Sequence, residues 1–149
     1  MIPSMSRAAH RRATWEDLAS LPEGDRTEVV DGELWTAPSP LPRHGHIEGA
    51  LSYSVGGPFQ YDARGPGGWW IITEVSVAYE TFQCPVHDIA GWRKERVPAR
   101  PTGIIDTTPD WVCEILSPGH ERKDTFDIFL LLQRHRVPHY WIIWPEDRV

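Results

Sequence analysis

The chain has 149 residues, two cysteines and a formal charge of −6, with 40% hydrophobic and 24% charged residues. That length sustains one hydrophobic core, and the composition excludes a disordered chain or one crossing a bilayer, since the longest apolar run, residues 128–132, is far too short. Two cysteines exclude a disulfide framework, and the acidic balance argues against a protein that coats nucleic acid through bulk charge. A nuclease is not excluded, because carboxylates that hold a metal ion make the total more negative. Two basic patches, Arg7/Arg11/Arg12 and Arg93/Lys94/Arg96/Arg100, read as solvated surface. No apolar stretch follows the basic N-terminus, so no secretory signal is expected, and the protein reads as cytoplasmic with reduced thiols.

In chain order, residues 1–13 read as a disordered leader and 14–149 as a single domain. "TWEDLASLPEG" opens with Thr14 as N-cap and Asp17 three residues on, which predicts a short helix ending at Pro22 and Gly24. "RTEVVDGELWTA" places Asp31-Gly32 between two alternating runs, a hairpin signal. Ile47, Leu51 and Val55 recur at helical spacing, and Gly56-Gly57-Pro58 is expected to end that helix. "YDARGPGGWW" lacks the Gly-Lys-Ser/Thr ending of a phosphate loop and precedes a strand, so it reads as a turn. "WWIITEVSVAYE" and "HDIAGW" predict two strands, joined through the Cys84-Pro85 loop. A polar, proline-containing excursion leads into "DWVCEIL", which reads as a strand buried on both faces. A helix from about Arg122 to Arg136 follows, expected to pack Phe126, Phe129 and Leu130 inward. "HYWIIWP" predicts a last strand. Strand–helix–strand at the end, with one near-continuous apolar strand, points to α/β or α+β architecture: a central mixed sheet flanked by helices, preceded by an N-terminal β-hairpin.

The carboxylates are the anomaly. Glu114 sits inside the most apolar strand, where an ionised group costs several kcal/mol unless partners offset its desolvation. Asp88 begins the "HDIAGW" strand, Glu74 interrupts "WWIITEVSVAY", and Glu28 lies beside Val29 and Val30. Singly, Glu28 and Glu74 read more simply as salt-bridged or exposed strand residues. If their strands adjoin, Glu74, Asp88 and Glu114 converge, and crowded carboxylates need a proton or a cation. Mg²⁺, or Mn²⁺, suits such an oxygen set. Cys84-x-x-His87 is only half of a zinc site. A cation held this way fits phosphodiester hydrolysis, because it acidifies water and offsets phosphoryl charge.

"LPEGDRTEVVDGELW", "PSPLPRHGHIEGAL", "GPGGWWIITEVSVAY", "HDIAGWRKERVP", "PDWVCEILSPG" and "RVPHYWIIWPEDRV" resemble, in order, the blocks of the Uma-two family of bacterial restriction-endonuclease-type proteins, within the PD-(D/E)XK nuclease superfamily. The resemblance runs from about Trp15 onward. It implies a restriction-endonuclease-like core with a Mg²⁺-dependent DNA-cleaving site. Asp88 falls on the aspartate of the Pro-Asp motif and Glu114 on the acid of the second motif, with the Ile115 carbonyl as a third metal ligand. Glu74, Glu28 and Asp124 match further acids, and His44 a histidine near a helix start that would contact phosphate or cap the helix. His87 replaces the motif proline, a change expected to matter little. The superfamily lysine position holds Leu116, and the position where relatives carry a compensating lysine holds Ile128, which leaves Lys123 to take that part. The chain ends at Val149, where relatives usually continue into further strands, so an uncovered sheet edge and a homodimer are expected. The tryptophans, Trp69, Trp70, Trp141 and Trp144 among them, are expected in core or interface rather than as base-stacking platforms. The alternative to an active nuclease is a catalytically degenerate fold that serves as a DNA-binding or assembly module.

Overall fold

The computed structural model describes residues 11–22, 24–119 and 123–145. Most of the expected leader therefore lies outside the described residues, but its last part does not fit that reading. The Ala13 N–H donates to Gly32 O at 2.8 Å, Ala13 is buried, and Arg12 lies 4.0 Å over the Phe82 ring. Helix α1, Trp15–Ala19, follows under a capping box made by Thr14 and Asp17.

Strands β1 (Thr27–Val30) and β2 (Glu33–Thr36) form the hairpin, pairing Val30 with Glu33 around Asp31-Gly32. Both turn residues have positive φ, 52° and 79°, as a two-residue turn that follows strand twist requires. The turn is tied down from outside: Gly32 N–H donates to Phe82 O, and Gln83 bonds the Asp31 carboxylate.

Helix α2, Pro42–Gln60, does not stop at Gly56-Gly57-Pro58 as the sequence suggests. Pro58 lacks an N–H and its ring crowds the preceding turn, yet the helix runs through it to Gln60. Tyr61 N–H reaches back five residues to Gly56 O, and Gly67 N–H caps Pro58 O. Gly65 makes this return close, since a Cβ there would sit 2.3 Å from Pro58 Cβ.

The main sheet has the order β3-β4-β5-β6, with β3 Trp69–Ser76, β4 Val86–Arg93, β5 Trp111–Ile115 and β6 His139–Ile143. The first two pairings are antiparallel and β5–β6 is parallel, so the sheet is mixed as expected. All five residues of β5 are buried. Ala90, Trp92 and Val112 join Val75, Val77, Ile128 and Leu132 in one core cluster; Ile89, Trp111 and Cys113 meet Leu51 and Val55 of α2 in another. Residues 94–110 are anchored where they rejoin the sheet by the Asp110 carboxylate, which accepts from Arg93 N–H and from the Arg96 guanidinium. Of the expected surface patch, Arg93 and Arg96 hold Asp110 and Lys94 lies over the Trp70 ring, so three of its four residues have structural contacts.

After β5 the described chain resumes at Lys123, so the expected helix start at Arg122 lies outside the described residues. It runs as a π-helical turn, Lys123–Ile128, and then as α3, Phe129–Arg134. Phe126, Phe129 and Leu130 do not pack inward: they are 53%, 46% and 40% exposed, while Ile128, Leu131 and Leu132 fill the core. The wide turn shifts the inward phase. Trp141 and Trp144 lie outside the core, 47% and 59% exposed, which leaves the interface part of the expectation open to them, whereas Trp92 and Trp111 are buried. Among the described residues no helix is long and apolar enough to cross a membrane.

The hairpin geometry yields a contrast between two glycines. Gly32→Ala places an L residue at φ 79° and is expected to cost about 1–2 kcal/mol. Gly49→Ala, inside α2 with nothing within 4 Å of the added methyl, is expected to stabilise by about 0.5–1 kcal/mol. Urea denaturation of both variants measures the difference.

Candidate metal centre

The β4–β5 ladder is short. It ends at Ile89↔Cys113, and the next residues on each strand are Asp88 and Glu114. Where the ladder stops, side chains replace carbonyls as acceptors for buried amides, which need one. Asp88 N–H donates to Glu114 Oε2 at 3.2 Å, and Ile115 N–H donates to Asp88 Oδ2 at 2.6 Å. On the other side, Thr73↔Ile89 and Val75↔His87 pair around Glu74, which falls opposite Asp88 without pairing. Glu74 has φ 49°, a left-handed conformation that costs about 1–2 kcal/mol for an L residue. Three acids from three successive strands therefore form a row across the sheet.

One cavity of about 280 Å³ is lined by Glu28, His44, Glu74, Asp88, Glu114, Ile115, Lys123 and Asp124, and by Arg26. Sequence reasoning singled out the first eight. Five carboxylates thus face two permanent cations. Lys123, from the π-helical turn, places Nζ 2.7 Å from Glu28 Oε1 and 3.8 Å from Asp124 Oδ1. Burial works against its charge, but Glu28, Asp124 and Glu114 outweigh that and hold the Lys123 pKa above its usual value. Glu28 is braced by Val86 N–H at 3.0 Å. Arg26 Nη1 lies 2.9 Å from Glu74 Oε1.

His87 is more than a substitute for shape, contrary to what the sequence suggests, because its ring bonds Glu114 and Tyr79. Its ring is fully buried, with Nδ1 2.5 Å from Glu114 Oε1 and Nε2 2.9 Å from the Tyr79 hydroxyl. A proline could make neither contact. Burial pushes the His87 pKa down to about 3, and burial and the Asp88 charge push Glu114 well up. A short hydrogen bond joins the two. Both Glu114 oxygens are thereby fixed, one by a ring and one by a backbone amide.

Among the described residues, His44, Glu48 and Glu74 offer three ligand atoms within 4.8 Å of one another. His44 is 8% exposed; its Nε2 lies 3.2 Å from Asp88 Oδ1 and 3.9 Å from Glu48 Oε2. Its pKa is raised, chiefly by the Asp88 carboxylate beside Nε2, against burial. Burial, with Glu74 and Asp88 nearby, pushes the Glu48 pKa up; Glu74 is pushed up mainly by burial, against the opposing pull of Arg26. Sequence reasoning passed over Glu48, although its position four residues after His44 in a helix puts both on one face. The site fits a divalent cation on its own terms: both Glu74 oxygens and His44 Nε2 are buried without a hydrogen bond of good geometry, and acids outnumber cations.

The two positions where a lysine was sought are closed to solvent. Leu116 is buried with its N–H on Ile143 O, and Ile128 sits in the core at 1% exposure. Lys123 is the lysine that reaches the cavity. Ile128→Lys is therefore expected to destabilise by about 3–5 kcal/mol, the cost of an uncompensated buried charge, instead of supplying a second cavity ammonium; thermal and urea unfolding read this directly.

A search of curated proteins finds no match. Among solved structures, the chain is similar to one described as a "putative nuclease belonging to DUF820 from Anabaena variabilis ATCC 29413", with a TM-score of 0.70 and 23% identity over 89% of this chain and 74% of that one. At that identity the likeness shows a shared fold. The Uma2 family model, described as "Putative restriction endonuclease", matches residues 15–149. That match covers nearly all of the chain, the cavity included, and the chain belongs to the Uma2 family.

Proposed function

We propose that this protein is a divalent-metal-dependent endonuclease that hydrolyses DNA phosphodiester bonds, with Mg²⁺ or Mn²⁺ as its ion. The observation that carries the reading is the row of Glu74, Asp88 and Glu114 on three adjoining strands, in one cavity with a half-buried lysine. Asp88 and Glu114 are the principal ligands, with the Ile115 carbonyl beside them and Glu74 assisting. A bound ion would supply charge neutralisation at the phosphate and a more acidic water.

The chain's own residues prepare that site. His87 and the Asp88 amide hold Glu114, and the Ile115 amide holds Asp88, so neither carboxylate reorients when an ion enters. Lys123 keeps its proton beside Glu28 and Asp124 and offers positive charge where the phosphate arrives, the part taken elsewhere by the superfamily lysine. Glu28 and Asp124 position that ammonium, and His44 lies against Asp88. DNA is the partner this reading requires, and a cytoplasmic location accords with it.

A second reading has one observation in its favour. Lys123 is engaged by Glu28 at 2.7 Å, and an ammonium so held has less to give a phosphate. On that reading the fold binds DNA or assembles without cutting.

Cleavage of supercoiled plasmid with Mg²⁺ or Mn²⁺ decides. Asp88→Ala and Glu114→Ala are each expected to lower the rate by at least about a hundredfold, and Lys123→Ala by a similar factor. Chelation with EDTA is expected to abolish it. Activity that survives either acidic substitution removes the mechanism; metal binding by a wild-type chain that does not cut supports the second reading.

A further inference from the structure

Beside the carboxylate cavity lies a second concavity of about 250 Å³ that the metal-nuclease reading does not use. Leu41, Leu116 and Pro118 line it, together with Arg43 and with Trp144, which is 59% exposed. We propose that this concavity receives one unpaired nucleobase, stacked on the Trp144 ring, so that the protein acts on single-stranded or locally unpaired DNA rather than on continuous duplex. The proposal names the substrate class of the nuclease reading and rests on that reading.

Continuity is the first support. Leu41, His44, Ser117 and Pro118 line both cavities. His44 spans them, with Nε2 3.2 Å from Asp88 Oδ1 and Nδ1 3.2 Å from Ser117 Oγ. The second concavity therefore begins about one ring's width from Asp88, within reach of the base next to a phosphate held there. The platform is the second support. Trp144 follows Ile143, the last residue of the β5–β6 ladder, whose carbonyl accepts from Leu116 N–H at 3.0 Å. On the other side, Pro145 O accepts from Arg43 Nη1 at 3.2 Å. The backbone is thus held before and after an indole that no other aromatic ring covers among the described residues. Trp141 differs, since it packs edge-to-face on Trp111 at 5.2 Å.

The chemistry of the lining agrees. Apolar side chains and an indole suit the faces of a base, and the Arg43 guanidinium brings positive charge for the phosphate that accompanies it. A base inside a duplex reaches such a concavity only by leaving its stack, which costs least where the base is already unpaired. Stacking on an aromatic ring is tolerant of sequence and strengthens binding by on the order of tenfold or more per base. This chain has need of that contribution. Its net charge is −6, duplex binding rests on clustered Lys and Arg, and Arg93 and Arg96 of the mid-chain basic patch are paired with Asp110.

The test measures binding to the full chain by fluorescence anisotropy with Ca²⁺ present. The labelled probes are of equal length: oligothymidylate, the same backbone without bases, and a blunt duplex. Wild-type protein is expected to bind oligothymidylate at least about tenfold more tightly than either other probe. Trp144→Ala should bind it no more tightly than the baseless strand, while Trp144→Phe, which keeps an aromatic face, should stay within about threefold of wild type. Equal affinity for the baseless strand, or a preference that survives Trp144→Ala, overturns the base site. So does a dimer in analytical ultracentrifugation that Trp144→Ala dissociates, which gives the surface to a second copy of the chain. Cleavage assays read the nuclease separately. A chain that cuts DNA with Mg²⁺ or Mn²⁺ but shows no preference for oligothymidylate loses the base site alone. One that binds oligothymidylate through Trp144 and cuts neither single strands nor duplex loses the nuclease reading alone, and a chain that binds no DNA loses both.

Discussion

The site depends on a ladder that ends early. β4 and β5 exchange backbone hydrogen bonds over only three residue pairs, and beyond Ile89↔Cys113 the amides of Asp88 and Ile115 are left to find other acceptors inside a buried region. They find them in the carboxylates of Glu114 and Asp88. Each acid therefore completes the other strand's backbone, and each bond compensates part of the desolvation that placing an acid there costs. Had the ladder continued, the two carboxylates would have had to compete with carbonyls for those donors. The break in the sheet and the convergence of acids are one feature.

Two cations then reach the cavity from different parts of the chain. Arg26 comes from just before the hairpin and meets Glu74; Lys123 comes from the turn after β5 and meets Glu28. The π-helical geometry of that turn matters, because it places Lys123 and Asp124 at the cavity while Ile128, five residues on, enters the core. Wide turns of this type often occur at functional sites. Even so, five carboxylates face two permanent charges. Burial, and after it the neighbouring carboxylates, push Glu48 and Glu114 up, and a divalent ion relieves that repulsion without protonating the acids.

How much of this was legible in the sequence varies with the physics involved. The hairpin, the capping box of α1 and the fully buried β5 follow from local chemistry: Asp31-Gly32 for positive φ, Thr14 and Asp17 for a helix start, an unbroken apolar run for a strand covered on both faces. Glu114 was visible because its environment made it costly. The inward face of the last helix was not visible, because residues 126 to 132 include apolar side chains all round and a π-turn shifts the phase in a way no fixed period describes. Pro58 misled for a related reason. A proline removes one helical bond and crowds the turn before it, but the turn after it can still close, as Tyr61 N–H does on Gly56 O. Glu48 needed the fold itself, since only the packing of α2 against β3 brings it to Glu74.

His87 marks the limit of reasoning by motif. A proline at that position supplies shape, and a residue that replaces it can be judged neutral as long as shape is the only criterion. The histidine instead buries two nitrogens, and both must be satisfied. They are, by Tyr79 on one side and Glu114 on the other. Glu114 thus gains a partner from inside the core, on the side away from solvent, and its carboxyl is held between that ring and the open end of the ladder. Cys84 and Cys113, with thiol pKa values pushed up to about 12 chiefly by burial, add no competing anion nearby. What replaces the proline's rigidity is a chain of hydrogen bonds from Tyr79 through His87 to Glu114, then through the Asp88 amide to the next acid. In that arrangement the carboxylates are set by the interior, and only their outer faces remain for a ligand.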